Sequence, residues 1–196
     1  MTYETSVRSA SQFFAALIGF SLKHILDAKS DTGIGSHKIY FLCISVFLFL
    51  RFFFGSANHL WEVYGQAETK TGKNALFCKD FLFLTAFGIV AASISSNDEI
   101  PAYFGWCLVL VLGALFWNLL HLVLRAALGA KSARGAWGWW CLPNGVQAIF
   151  FVIAPGFLQS EVQVGWNPES WFWGLLFLVN LGCLIGDMVI VFCSGK

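Results

Sequence analysis

A chain of 196 residues with 58% hydrophobic and 12% charged side chains carries far less charge than the ~25% of an ordinary soluble domain. A net charge of +1, with no lysine or arginine cluster, excludes a nucleic-acid surface. There is no CxxC pair, zinc spacing, GxSxG, HExxH or phosphate-binding glycine loop, so no metal, cofactor or nucleophile is expected from a motif.

Residues 81–97, 100–124, 136–160 and 170–186 hold no charged side chain at all. Runs of that length match the ~20 residues that cross a hydrocarbon core. An integral membrane protein is expected, and in a bilayer every polar residue is costly and needs a partner or a task. The runs are apolar on every face, whereas barrel strands alternate, so helices are expected and strands are not.

In chain order, the first segment is 9–26, with a short apolar core. Lys23 and His24 follow that core in place of a small-residue cleavage site, so it is not expected to be a removable signal. The second segment is 39–64 and the third 76–95. The fourth, 101–128, has Pro101 in its first turn and Asn97, Asp98 and Glu99 as caps. The fifth, 139–158, contains Pro143, Gly145 and Pro155 and is either a kinked span or a half-length dip. The sixth is 171–193. The fold class is therefore an all-α integral membrane protein, a single bundle over 1–196. It has four to six transmembrane helices, with six favoured and segments 9–26 and 139–158 deciding the count.

Six spans with an inner N-terminus place Arg8, Lys70, Lys73, Lys79, Arg125, Lys131, Arg134 and Lys196 inside. Lys23, Lys29 and Lys38 then lie outside and Arg51 within a span. That bias puts both termini in the cytoplasm. Trp61, Tyr64, Trp137, Trp139 and Trp140 are expected as the inner aromatic belt. Tyr40, Tyr103, Trp106, Trp166, Trp171 and Trp173 are expected as the outer one.

The polar residues follow helical seams. Arg51, Asn58 and Glu62 fall within about 40° of one another, with His59 one edge over. Asn118, His121 and Arg125 share a second stripe, and Asn180, Cys183 and Asp187 a third. Lys79 and Asp80 open the antiparallel third segment, so all these groups fall in one leaflet if segment five crosses. Arg51 is expected to pair with Asp187 first and Glu62 second. Glu62 lies about 16 Å further along the same helix, too far for a direct pair. Asn58, His59, Asn118, His121 and Asp187 are expected to share a partly hydrated inner-leaflet cavity.

The bland alternative is interhelical glue, with Arg125, Glu62 and Lys79 snorkelling to the interface. The six cysteines read as small hydrophobes. Gly105 with Gly113, Gly182 with Gly186, and Gly129 with Gly135 are expected to permit close backbone approach. The functional expectation is an oligomeric pore, sensor or membrane subunit of a larger assembly, such as a bacterial stress or defence system in the inner membrane. It would self-associate, and a soluble partner would dock on its cytoplasmic face. The alternative is an intramembrane enzyme using Asp80, His121, Asp187 and Glu62 as acid–base groups on a lipid-like or polyprenyl substrate.

Overall fold

The computed structural model describes residues 3–27, 38–60, 73–95, 99–127, 134–160 and 169–194. These form α1 (Tyr3–Asp27), α2 (Lys38–Leu60), α3 (Lys73–Ser95), α4 (Ile100–Ala127), α5 (Arg134–Ser160) and α6 (Glu169–Ser194). No strand occurs among the described residues. The expected segments match these bounds closely, except that α1 begins at Tyr3 rather than at position 9.

Local chemistry sets the helix ends and interiors. The Tyr103 amide donates to the Glu99 carbonyl at 3.0 Å, so Glu99 opens α4 and Pro101 sits where its missing N–H costs nothing. α5 is continuous through Pro143 and Pro155 for 27 residues, about 40 Å long at 1.5 Å per residue. It is a full-length helix, not a dip, because prolines are tolerated in a spanning helix whose neighbours satisfy the freed carbonyls.

Each helix packs on two main neighbours in a closed ring ordered α1, α3, α4, α5, α6, α2. Paired contacts fix the directions. Tyr40 stacks on Trp173 at 5.3 Å near the start of α2 and α6, and Arg51 meets Asp187 at 2.5 Å near their ends, so these helices are parallel. Phe157 on Phe172 and Cys183 on the Pro143 carbonyl make α5 and α6 antiparallel. Lys79 on His121 and Phe87 beside Gly113 do the same for α3 and α4.

The four helices α2, α4, α5 and α6 each contain a stretch long and apolar enough to cross a membrane. The molecule is thus an all-α membrane bundle. Segment 139–158 holds one of these stretches, and α3 packs in the ring between α1 and α4. α3 carries Lys79 and Asp80 near its start, and the tertiary structure shows that they pair with each other at 2.6 Å.

Polarity is inverted relative to a soluble protein. Leu119, Val123, Leu142, Ile149, Val152, Leu178, Ile185 and Val189 face outward, while Arg51, Asp80, Asn118, His121, Asn144, Gln147, Asn180 and Asp187 are buried. In water such an apolar exterior would aggregate; against acyl chains it is the matching surface. One half of the interior is aromatic. Phe41 meets Tyr103 edge-on at 4.5 Å and Trp173 at 5.1 Å, and Phe104 leans on Phe151 at 5.9 Å. Tyr103 and Trp173 therefore belong to the core, not to the outer belt, because they point into the ring. The Tyr103 hydroxyl is held there by Ser45 at 2.7 Å and donates to the Phe41 carbonyl. Trp106 and Trp171 do lie outward.

The glycine expectations are redistributed. A Cβ on Gly105, Gly182 or Gly186 would meet nothing within 4 Å among the described residues, so no close packing against those residues depends on them. The close approaches are at Gly55, where a side chain would overlap the Trp140 ring, and at Gly88, where it would overlap Leu17. Gly113 faces the Phe87 ring. Of the Gly129–Gly135 pair, Gly129 lies outside the described residues and Gly135 stands in the first turn of α5.

Candidate functional site: a buried arginine hub

The other half of the interior holds the polar residues, contributed by the C-terminal halves of α2, α4 and α6 and the N-terminal halves of α3 and α5. Arg51 is its hub, 2% exposed. Its Nε donates to Asp187 Oδ2 at 2.5 Å, its Nη2 to Asn144 Oδ1 at 3.1 Å, and its Nη1 to Gln147 Oε1. Gln147 passes the chain on through Nε2 to Asn180 Oδ1 at 2.7 Å, and Asn180 Nδ2 donates to the Leu176 carbonyl at 2.8 Å. One guanidinium from α2 is thereby held by both α5 and α6. Its planar array of five N–H donors suits three acceptors spread over two helices, where a lysine ammonium would not.

A second cluster joins α3 to α4. Asp80, fully buried, accepts from Lys79 Nζ at 2.6 Å and from Trp117 Nε1 at 2.7 Å. Lys79 Nζ also lies 3.2 Å from His121 Nδ1 and 5.8 Å from the Trp117 ring centre. An ammonium only donates, so the imidazole accepts through Nδ1. The Lys79 side chain is only 12% exposed. It turns inward rather than snorkelling, because its counter-ion and acceptor are both inside the bundle.

Between the clusters lies a cavity of about 20 Å³, counted as space open to water centres. Arg51, Ser56, Trp117, Asn118, Asn144 and Asp187 line it, with Phe52, Ala114 and Trp140 as the apolar wall. The Ser56 hydroxyl donates to the Phe52 carbonyl one turn back.

Among the residues expected to converge, Arg51, Asn118 and Asp187 do share this cavity. His121 is directed instead to Lys79, and Asn180 reaches Arg51 only through Gln147. The acid–base candidates are therefore divided, with Asp187 on the arginine and Asp80 with His121 on the lysine. The side chains of Asn58, His59 and Arg125, and the whole of Glu62, lie outside the described residues. Sequence reasoning missed Asn144 and Gln147, which supply two of the three acceptors on Arg51. Their signal was present: two amides spaced i, i+3 lie on one helix face inside a charge-free run. Compared with protein-family models, with curated proteins and with solved structures, this chain matches none of them.

Proposed function

We propose that this multi-pass membrane protein is a sensor subunit whose Arg51 network is the responsive element, working with a soluble partner on the cytoplasmic face. The observation that carries the reading is the grip of α5 and α6 together on one buried guanidinium from α2. Apolar side chains of similar volume would hold these helices at least as firmly. A buried ion pair is best explained by specificity or by a two-position element. The aromatic half of the bundle supports a sensor over a pore within one chain, since Phe41, Tyr103, Phe104 and Trp173 fill its centre. Self-association is part of the proposal: a Cβ at Gly182 or Gly186 meets nothing among the described residues, a surface suited to a second copy.

The intramembrane-enzyme alternative draws on the Lys79–Asp80–His121 cluster, where three ionisable groups meet. It has less support, because the cavity of about 20 Å³ is far below the ~300–1,000 Å³ usual for a small-molecule site.

The test uses spin labels at the outward positions Leu50 on α2 and Ile185 on α6, with the protein in nanodiscs. Asp187→Asn keeps the side-chain shape and removes the charge. A sensor is expected to show a shifted or second distance population in this variant and altered binding of its partner. A distribution identical to wild type would remove Arg51–Asp187 as a switch. Steady conductance by the purified chain in planar bilayers would replace the sensor with a pore, and turnover of a lipid-like substrate would replace it with an enzyme.

A further inference from the structure

Two acceptor atoms in the polar half have no donor among the described residues: Asn118 Oδ1 and Asp187 Oδ1. Their side chains belong to residues 1% and 3% exposed, and both residues line the cavity between the two clusters. A buried acceptor left unmade costs about 1–3 kcal/mol, and more when charged. The chemistry of the wall selects what would satisfy them. An anion is repelled by two acceptors. A cation is disfavoured because Arg51 already neutralises Asp187, and a second positive charge would be uncompensated in a low dielectric. An apolar ligand leaves both oxygens as they are.

The remaining class is a small neutral molecule with two donors. The cavity of about 20 Å³ exceeds the roughly 10–15 Å³ that one water requires. We propose that this cavity is a binding site for a single water, donating one hydrogen to Asp187 Oδ1 and the other to Asn118 Oδ1. Protein acceptors occupy three of the N–H bonds of Arg51, which has five, so donors remain for the water oxygen.

The consequence is connectivity. Among the described residues, the partners of the Arg51 side chain lie on α5 and α6 and none on α4. Asn118 is on α4, one turn before His121, which contacts Lys79. The water is therefore the link between the ion pair and the helix that carries the second cluster. It ties the two sides of the ring together through polar contacts.

Radiolytic hydroxyl labelling in nanodiscs, run in H₂¹⁸O, tests the site, because radicals form from bound water and mark the adjacent ring. Trp117 lines the cavity and is buried, so bulk solvent does not label it. The expected result is an ¹⁸O label on Trp117 in the wild type. That label should be lost in Ala114→Leu, which fills the cavity, and in Asn118→Leu, which removes one acceptor while keeping the branching and heavy-atom count of the side chain. If Ala114→Leu does not fold, the Asn118→Leu variant decides. An unlabelled Trp117 in the wild type, or a label that survives both substitutions, overturns the proposal. A label suppressed when sodium replaces choline in the buffer also overturns it, in favour of a cation site. Water would occupy this place whether the chain senses, conducts or docks, so failure of the sensor test leaves this one standing.

Discussion

At the scale of single residues, the energetics of Arg51 dominate. A buried ion pair is weak evidence for stability as a pair, yet removing one partner strands the other in a medium that cannot solvate it. Arg51→Met is therefore expected to destabilise the bundle by about 3–5 kcal/mol, read by thermal unfolding in detergent micelles. The double variant Arg51→Met/Asp187→Leu should recover part of that loss, since no lone charge remains. A double variant less stable than the single one would mean that the pair itself holds the fold. Gln147→Leu removes the relay between Arg51 and Asn180 and should cost about 1–3 kcal/mol in the same measurement. An unchanged midpoint would show that the relay contributes nothing. The Arg51–Asp187 pairing was legible from the chain, because the only basic residue deep in a span must find an acid. The two amides on α5 share a helix face that the sequence shows, but their partner was not legible, because amides in an apolar run are equally consistent with glue to any neighbour.

Among the elements, α5 and the glycines show where local rules give way to packing. Pro143 and Pro155 suggest a break, but the helix persists because α4 and α6 flank it on both sides. Gly55 is needed for the approach of α5, whose Trp140 ring occupies the space a side chain would fill. Gly55→Leu should destabilise by about 1–3 kcal/mol through overpacking, and Trp140→Ala should relieve that cost. If Gly55→Leu unfolds at the wild-type temperature, the two helices are not in contact there. Gly182→Ala and Gly186→Ala meet open space among the described residues, so monomer stability should hold or rise by about 0.5–1 kcal/mol. Any loss should appear instead in oligomer size by light scattering. Unchanged oligomer size in both would remove this face from the self-association proposal.

Considered whole, the molecule places its charge by halves. Directions established by side-chain contacts put the polar ends of α2, α4 and α6 and the starts of α3 and α5 at one level. Basic residues near those ends then predict a cytoplasmic polar half. Reporter fusions at Lys196 and Asp98 test it: the first should be cytoplasmic and the second external. An internal Asp98 or an external Lys196 would overturn the orientation and the place assigned to the soluble partner.

The sequence by itself determined the membrane class, the helical architecture and nearly every helix boundary. Those depend on the length of apolar runs and on chain-local backbone chemistry, both of which are one-dimensional. It also determined which residues needed partners, because an ionised group in hydrocarbon is costly wherever the chain runs. Which partners they took was decided only by the tertiary structure. Asp80 and His121 turn to Lys79, whereas Asp187 turns to Arg51, because α3 packs beside α4 and α6 beside α2 in the ring. The same ring order made Tyr103 and Trp173 core residues instead of interfacial anchors, and left Gly182 and Gly186 facing outward. Helical periodicity tells which residues share a face, but only the neighbour on that face tells whether it meets lipid, an aromatic ring or a charge.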